Sequence, residues 1–297
     1  SLPPRSQRIH VTDMNSASGW PIDSDLSRVL RQVQERERQA VVLSSRRGFS
    51  GALACNACGH TIGCLNCDLP LRYHQKENEL RCHQCNHTLA VPLECPSCGS
   101  DELQPGRSAG TQWLASSIRR LLPGFRVVRY DTDVREHPTA LLAGESGVLV
   151  ATTAALRLPP LPNVSLLAVS LFDAHLSQSD FRAAENTLRL MLQLPELSSR
   201  PRPLVVIQTF QPEHPVLDVL RAEDQAAALE RFTDATLERR EAFGYPPFAH
   251  LARIEITARD SATAEVAAQR LQGSLLGEGA GADELLGPVP AGVARIR

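Results

Sequence analysis

The stretch CNACGHTIGCLNCDLPLRYHQKENELRCHQCNHTLAVPLECPSC, residues 55–98, holds all 8 cysteines of the chain, in the pairs Cys55/Cys58, Cys64/Cys67, Cys82/Cys85 and Cys95/Cys98. Two residues between paired thiols let both reach one tetrahedral metal, so four pairs supply two complete sites. The residues after each second cysteine are Gly59, Asp68, Asn86 and Gly99, types that tolerate the left-handed backbone of a metal knuckle. A disulfide framework is the alternative, but a crowded cysteine block in a chain without secretion signals fits zinc better. Only five residues separate Cys58 from Cys64, whereas fourteen separate Cys67 from Cys82. The first gap is cramped for two knuckles facing one ion, and the second is close to that of an ordinary zinc ribbon. The expected arrangement is nested: Cys64, Cys67, Cys82 and Cys85 around one Zn2+, and Cys55, Cys58, Cys95 and Cys98 around the other. With both sites filled by sulfur, His60, His74, His83 and His87 are read as surface groups or phosphate contacts. Sites with four cysteine ligands are closed to substrate, so this block is structural and serves to present a surface.

The flanks of the block follow a different pattern. Upstream, Ile9 to Met14 reads as a strand, and Ser24 as the N-cap of a helix from Asp25 to about Arg38 bearing Leu26, Val29, Leu30 and Val33 at helical spacing. Ala40 to Leu43 is a short buried strand. Downstream, Thr111 to Leu122 is expected to be a helix with Trp113, Leu114, Ile118 and Leu121 on one face. Strands are expected at Phe125–Tyr130, Val148–Val150, Val164–Leu171 and Leu204–Thr209, with a helix at Phe181–Leu194. This alternation predicts an α/β layer with a mainly parallel sheet, interrupted by the cysteine block as an insertion. From Gln211 the texture changes: one or two helices over Pro215–Glu241, a break at Tyr245-Pro246-Pro247, a strand at Leu251–Thr257 and an amphipathic helix at Ser261–Leu276. The expected division is a lead-in over 1–24, an α/β lobe over 25–51 and 105–210, a zinc module over 52–104, and linker helices with a small α+β domain over 211–297.

Composition narrows the class. A chain of 297 residues with 42% hydrophobic content can bury a real core. No apolar run reaches the roughly 20 residues of a membrane span, and no signal peptide is visible, so a cytoplasmic protein without membrane partners is expected. The start at Ser1 suggests a piece of a longer protein. Net charge is −2, which does not advertise nucleic acid, although a basic stripe can coexist with an acidic remainder. Lys76 is the sole lysine and no Walker-type phosphate loop is present. Arginine supplies the rest of the positive charge and suits bidentate phosphate contact.

The cysteine array, with Arg46-Arg47-Gly48-Phe49-Ser50 before it, closely resembles the PriA (primosomal protein N′) family, superfamily 2 helicases that restart stalled bacterial replication forks. Further matches are Gly110-Thr111, Tyr130-Asp131-x-Asp133, Asp180-Phe181-Arg182-Ala183-Ala184-Glu185, Gln208-Thr209, Glu213-His214-Pro215, Tyr245-Pro246-Pro247-Phe248 and Leu286-Gly287-Pro288. The resemblance implies the second RecA-like helicase lobe with an inserted double zinc module, followed by most of a C-terminal domain. It also implies the same nested zinc pairing, and as partners forked or branched DNA, single-stranded-DNA-binding protein and other primosome proteins. Arg46, Arg47, Arg72 and Arg81 are the candidate DNA contacts, and a nucleoid location follows.

Two motifs depart from the family pattern. Motif V, normally Gly-Thr-Gln-Met-x-x-Lys-Gly-x-Asp-Phe-Pro, is here Ala151-Thr152-Thr153-Ala154-Ala155-Leu156-Arg157-Leu158-Pro159-Pro160-Leu161-Pro162. Motif VI, normally Gln-Val-Ala-Gly-Arg-Ala-Gly-Arg, is here Gln193-Leu194-Pro195-Glu196-Leu197-Ser198-Ser199-Arg200. Leu197 replaces the first motif arginine, and Pro195 is expected to break the helix that carries it. Thr152, Arg157, Leu197 and Arg200 are thus degenerate nucleotide positions. ATP is not expected as a cofactor, and no catalytic residue is assigned. The leading reading is a primosome protein that binds branched DNA without ATPase or helicase activity of its own. The alternatives are an active ATP-dependent 3′–5′ helicase completed by a first lobe, and a zinc ribbon that binds protein only.

Overall fold

The computed structural model describes residues 8–19, 21–44, 52–55, 60–67, 69–74, 77–105, 110–131, 137–178, 180–281 and 284–289. The chain enters on β1 (Arg8–Asp13) and passes through α1 (Ser24–Glu35) into β2 (Gln39–Leu43). The cysteine block then contributes β3 (Leu53–Cys55), β4 (Arg72–His74), β5 (Glu79–Arg81), β6 (Thr88–Ala90) and β7 (Leu103–Pro105). The path returns by α2 (Thr111–Leu121), β8 (Val127–Tyr130), α3 (Thr139–Leu142) and β9 (Gly147–Ala151), and a 3-10 turn (Thr153–Arg157) leads to β10 (Val164–Val169). Next come α4 (Asp173–Leu176), α5 (Ala183–Gln193), a second 3-10 turn (Leu194–Leu197) and β11 (Leu204–Thr209). Helices α6 (Pro215–Arg221), α7 (Gln225–Ala242) and α8 (Ser261–Gly277) follow.

Six strands form one sheet in the order β1-β11-β10-β2-β9-β8, and every neighbouring pair is parallel. Parallel strands covered on both faces read as continuous apolar runs, and β2 (QAVVL), β9 (GVLVA) and β10 (VSLLAV) do so. Successive side chains leave a strand on opposite sides. Val41, Leu43, Leu149, Ala151, Leu167, Val169 and Ile207 therefore meet Leu188, Met191, Leu194, Val216 and Leu220 in one core. Ala40, Val42, Val148, Val150, Leu166, Ala168 and Val206 meet Leu26, Leu30, Val33, Leu114 and Ile118 in the other. This is the mainly parallel α/β lobe expected from the alternation. Buried Gln208 ties its centre together: its amide donates to the carbonyls of Pro21 (3.0 Å) and Ser170 (2.8 Å), and its oxygen accepts from the Asp23 N–H (3.0 Å).

The cysteine block leaves and rejoins the lobe on adjacent strands, because β3 pairs antiparallel with β7. Between them β4, β5 and β6 form an antiparallel sheet of their own.

Several expectations are corrected. The α1 cap is Asp23, not Ser24: its carboxylate accepts from the N–H groups of Asp25 (2.8 Å) and Leu26 (2.9 Å), and a carboxylate at a helix N-terminus also gains from the helix dipole. Trp113 is 42% exposed, because the buried face of α2 runs through Thr111, Leu114, Ala115 and Ile118. Residues 251–257 form no strand, and apart from half-buried Ile256 they are exposed. No strand among the described residues offers them a ladder, and backbone groups without one stay with water. Helix α8 forms but has no buried residue, so the expected βα unit is absent. Its contact with the Gly287 region is a bond from the Gln272 amide to the Gly287 carbonyl, 2.8 Å.

Candidate metal centre

All four Cys-x-x-Cys segments repeat one local hydrogen bond, from the N–H of the first cysteine to the carbonyl five residues on. The pairs are Cys55 to His60 (2.8 Å), Cys64 to Leu69 (2.8 Å), Cys82 to His87 (2.8 Å) and Cys95 to Ser100 (2.7 Å). Thus His60 and His87 serve the knuckles through their backbones. In two knuckles the N–H after the second cysteine returns to the first: Asn86 to Cys82 (3.1 Å) and Gly99 to Cys95 (2.8 Å). Those two residues have positive φ, 62° and 74°, as the sequence requires of them. Gly59 and Asp68, the other two residues in that role, lie outside the described residues.

Sulfur atoms of Cys64, Cys67, Cys82 and Cys85 converge in one cluster, and those of Cys55, Cys95 and Cys98 in another, all within 4.8 Å of one another in each. Cys58, the expected fourth member of the outer cluster, lies outside the described residues. The grouping is the nested one. Cys64 and Cys85 sulfurs are 3.6 Å apart and those of Cys55 and Cys98 are 3.7 Å apart. Four thiolates at the usual Zn–S bond length around a tetrahedral ion sit about 3.8 Å apart, so both spacings fit zinc. A disulfide would need about 2.05 Å, and the seven described cysteines are all free.

Charge in the inner cluster calls for a cation. Burial pushes the Cys64 thiol up to about 11. Its neighbour Cys82, then burial, pushes Cys67 up as well. Cys82 is held down to about 4 by the Cys67 thiol and by the N–H groups of Cys85 and Gln84, and the Gln84 N–H lies 3.4 Å from its sulfur. Four crowded sulfurs cannot all carry charge alone, and a divalent ion at their centre removes the conflict. The site also sits in a small apolar core with Leu53, Ile62, Leu69, Leu71 and Leu80, against which Phe181 packs.

Phe181 belongs to a junction that sequence reasoning missed. Tyr245, 178 positions from Cys67 in the chain, donates its hydroxyl to the Cys67 carbonyl at 2.8 Å. Its ring stacks on Phe181, with centroids 4.8 Å apart and 10° between planes. The Arg182 and Arg240 guanidinium carbons lie 4.7 and 4.9 Å from the Phe181 ring centre. Arg240 also pairs with Glu185 and donates to the Pro246 carbonyl at 3.0 Å. The carbonyl of a candidate metal ligand, the start of α5 and the end of α7 are thereby clasped together. The sequence signals were the segments Asp180-Phe181-Arg182-Ala183-Ala184-Glu185 and Tyr245-Pro246-Pro247-Phe248, with nothing in either to say that they meet. Tyr245→Phe keeps the stack and removes the hydrogen bond, leaving a buried carbonyl without its donor. It is expected to lower stability by about 1–2 kcal/mol, measured by denaturant unfolding of zinc-loaded protein.

Among the DNA candidates, Arg72 and Arg81 stand opposite each other on β4 and β5. Arg46 and Arg47 lie outside the described residues. The nucleotide positions do not gather. Thr152 is buried beyond the C-terminal end of β9, where its hydroxyl caps the 3-10 turn, and Arg157 is exposed at that turn's end. At the opposite end of the sheet, exposed Arg200 donates to Asn163 Oδ1 (3.2 Å), which also accepts from Arg38 (2.7 Å). Leu197, 3% exposed, joins the core with Leu161, Val164 and Leu194. Its carbonyl accepts from the Leu161 N–H (2.9 Å), and the Leu161 carbonyl accepts from the Ser199 N–H (3.0 Å). The expected helix break is present: α5 ends at Gln193 and Pro195 sits in a 3-10 turn.

Residues 64–89 match the family described as the PriA DNA helicase Cys-rich region domain, and residues 241–297 match the primosomal protein N C-terminal domain. The chain is 48% identical to a probable replication restart protein PriA of Deinococcus radiodurans, over 94% of this chain and 30% of the relative. It is 33% identical to the replication restart protein PriA of Haemophilus influenzae, over 86% of this chain and 36% of the relative. The Bacillus subtilis protein of the same name is 31% identical, over 92% and 34%. This chain therefore spans about a third of the length of these relatives. No helix among the described residues is long and apolar enough to cross a membrane. A zinc-ribbon region, a parallel α/β lobe and a C-terminal segment, each matched to one set of relatives, place this chain in the PriA family of replication restart proteins.

Proposed function

We propose that this chain binds branched or forked DNA and helps to assemble the primosome, and that it does not drive strand separation by hydrolysing ATP through this lobe. One observation carries the second half of this reading. The parts that hold the fold, namely the sheet, the cysteine clusters and the clasp, are intact, while Leu197 is drawn into the core beside Leu161, whose N–H donates to the Leu197 carbonyl. A side chain buried there cannot reach a nucleotide. The first half rests on the relatives, which are replication restart proteins. Two Zn2+ ions, held by Cys64, Cys67, Cys82 and Cys85 and by Cys55, Cys58, Cys95 and Cys98, keep the module folded. Single-stranded-DNA-binding protein and primosome proteins are its partners on the nucleoid, in the cytoplasm.

Fork-DNA binding tests this reading. A cut after Phe248 spares Tyr245 and the clasp, and removes α8, which has no buried residue. The truncated protein should keep its zinc and lose about tenfold in fork affinity, with a shallower salt dependence. Unchanged affinity and slope would rule out a DNA role for this segment. If the whole chain fails to bind forked DNA, the proposed function itself falls.

A further inference from the structure

We propose that Tyr245 is a positioning residue for the inner cysteine cluster: the end of α7 holds the Cys67 knuckle closed on its metal, so that this ion is retained far longer than the ion of the outer cluster. The proposal rests on the zinc reading above and assigns a residue of the lobe to the retention of one ion of the two.

Tyr245 is set in place by the lobe. Its N–H donates to the Arg240 carbonyl at 2.7 Å, and its own carbonyl accepts from the Phe248 N–H at 3.0 Å, so the chain leaving α7 is wound into a tight turn. Gly244, with a φ of 62°, supplies the left-handed step in that turn. Arg240 fastens the turn to α5 through Glu185, and to its own far side through the Pro246 carbonyl at 3.0 Å. The tyrosine ring, 7% exposed, is thereby presented to the cysteine block at a fixed place. There it makes two contacts of different kinds. Its hydroxyl donates to the Cys67 carbonyl at 2.8 Å, inside the turn closed by the bond from the Cys64 N–H to the Leu69 carbonyl. Its ring stacks on Phe181, which packs against the apolar core that contains Cys64, Cys67 and Cys82.

Folding of a knuckle and metal binding are coupled, so a metal leaves when one knuckle opens. For Cys67 that motion breaks a buried hydrogen bond and draws the knuckle away from Phe181. Contacts made only in the closed state slow its opening, and by linkage the metal stabilises the clasp in return. The outer cluster is less guarded, because Cys98 is exposed whereas Cys64, Cys67 and Cys82 are buried. Release is therefore ordered, with the outer ion first.

The test follows zinc release from the zinc-loaded chain into excess chelator, read with a chromogenic zinc indicator. The unmodified chain should give two phases of equal size, and Cys82→Ser, which breaks the inner site, the fast one alone. Tyr245→Phe keeps the ring and removes the hydroxyl. It should speed the slow phase about tenfold, the kinetic equivalent of one buried hydrogen bond, and leave the fast phase unchanged. Ile207→Val trims the core of the lobe without touching the clasp, at a similar cost in stability. Its slow phase should match the parent's, which separates positioning from general loosening. In the unmodified chain, tryptic cleavage at Arg239 and Arg240 should begin with the slow phase and not with the fast one, a readout that needs no variant. A slow phase within about twofold of the parent's in Tyr245→Phe would overturn the positioning role and leave the zinc reading standing. Acceleration of both phases, equal acceleration in Ile207→Val, or one shared rate for both ions in the unmodified chain would overturn it as well. Fewer than two zinc ions per unmodified chain would overturn the zinc reading and the proposal together.

Discussion

Cys82→Ser is expected to remove one zinc ion of two and to unfold the segment between the inner knuckles. Cys82 is fully buried in the apolar core of the inner cluster, and its sulfur, a proposed metal ligand, also takes the Gln84 N–H. Structural zinc in small modules stabilises the folded state by an apparent 10–16 kcal/mol or so at neutral pH, far more than this core can supply alone. Metal analysis should fall from two ions per chain to one. The outer cluster, built from Cys55, Cys95 and Cys98 with Cys58, should keep its ion because its sulfurs form a separate group. Cleavage should appear within residues 64–89. The clasp should open too, since Tyr245 is bonded to the Cys67 carbonyl. Trypsin should then cut more readily at Arg239 and Arg240. One zinc per chain in the unmodified protein, or two in Cys82→Ser, would overturn the assignment.

The second large effect concerns ATP. A full-length protein containing this lobe is expected to show no DNA-stimulated phosphate release. Loss of an arginine that stabilises the transferring phosphate typically costs about 10³ to 10⁵ in rate. Leu197 carries no charge and points into the core. That placement also decides which variant is informative. Leu197→Arg would bury an unpaired charge beneath the sheet and should destabilise the lobe rather than restore turnover. Arg200 is the better probe, because it is exposed and bonded to Asn163. Arg200→Ala should leave phosphate release at the parent's background level. Robust turnover by the unmodified protein refutes the proposal, and its loss in Arg200→Ala would show that Arg200 had taken over the charge. DNA binding should persist in either protein, because neither the cysteine module nor the proposed DNA contacts require ATP.

Much of the fold is legible along the chain because it rests on neighbours a few residues apart. Each Cys-x-x-Cys turn closes a hydrogen bond within six residues, and Asn86 and Gly99 stand where the backbone must be left-handed. The nested grouping of the described cysteines follows from loop lengths, and β2, β9 and β10 announce themselves as apolar runs covered on both faces. Other features depend on segments that meet only after folding. Strand order, the burial of Leu197 beside Leu161, and the bond from Tyr245 to Cys67 join residues tens to hundreds of positions apart. Local preference is silent about such contacts, and it overreached at 251–257, where an alternating pattern has no neighbouring strand to bond among the described residues. An apolar pattern states which face of a segment avoids water, but its partner on that face is selected by the shape and hydrogen-bonding groups of whatever else the chain brings there.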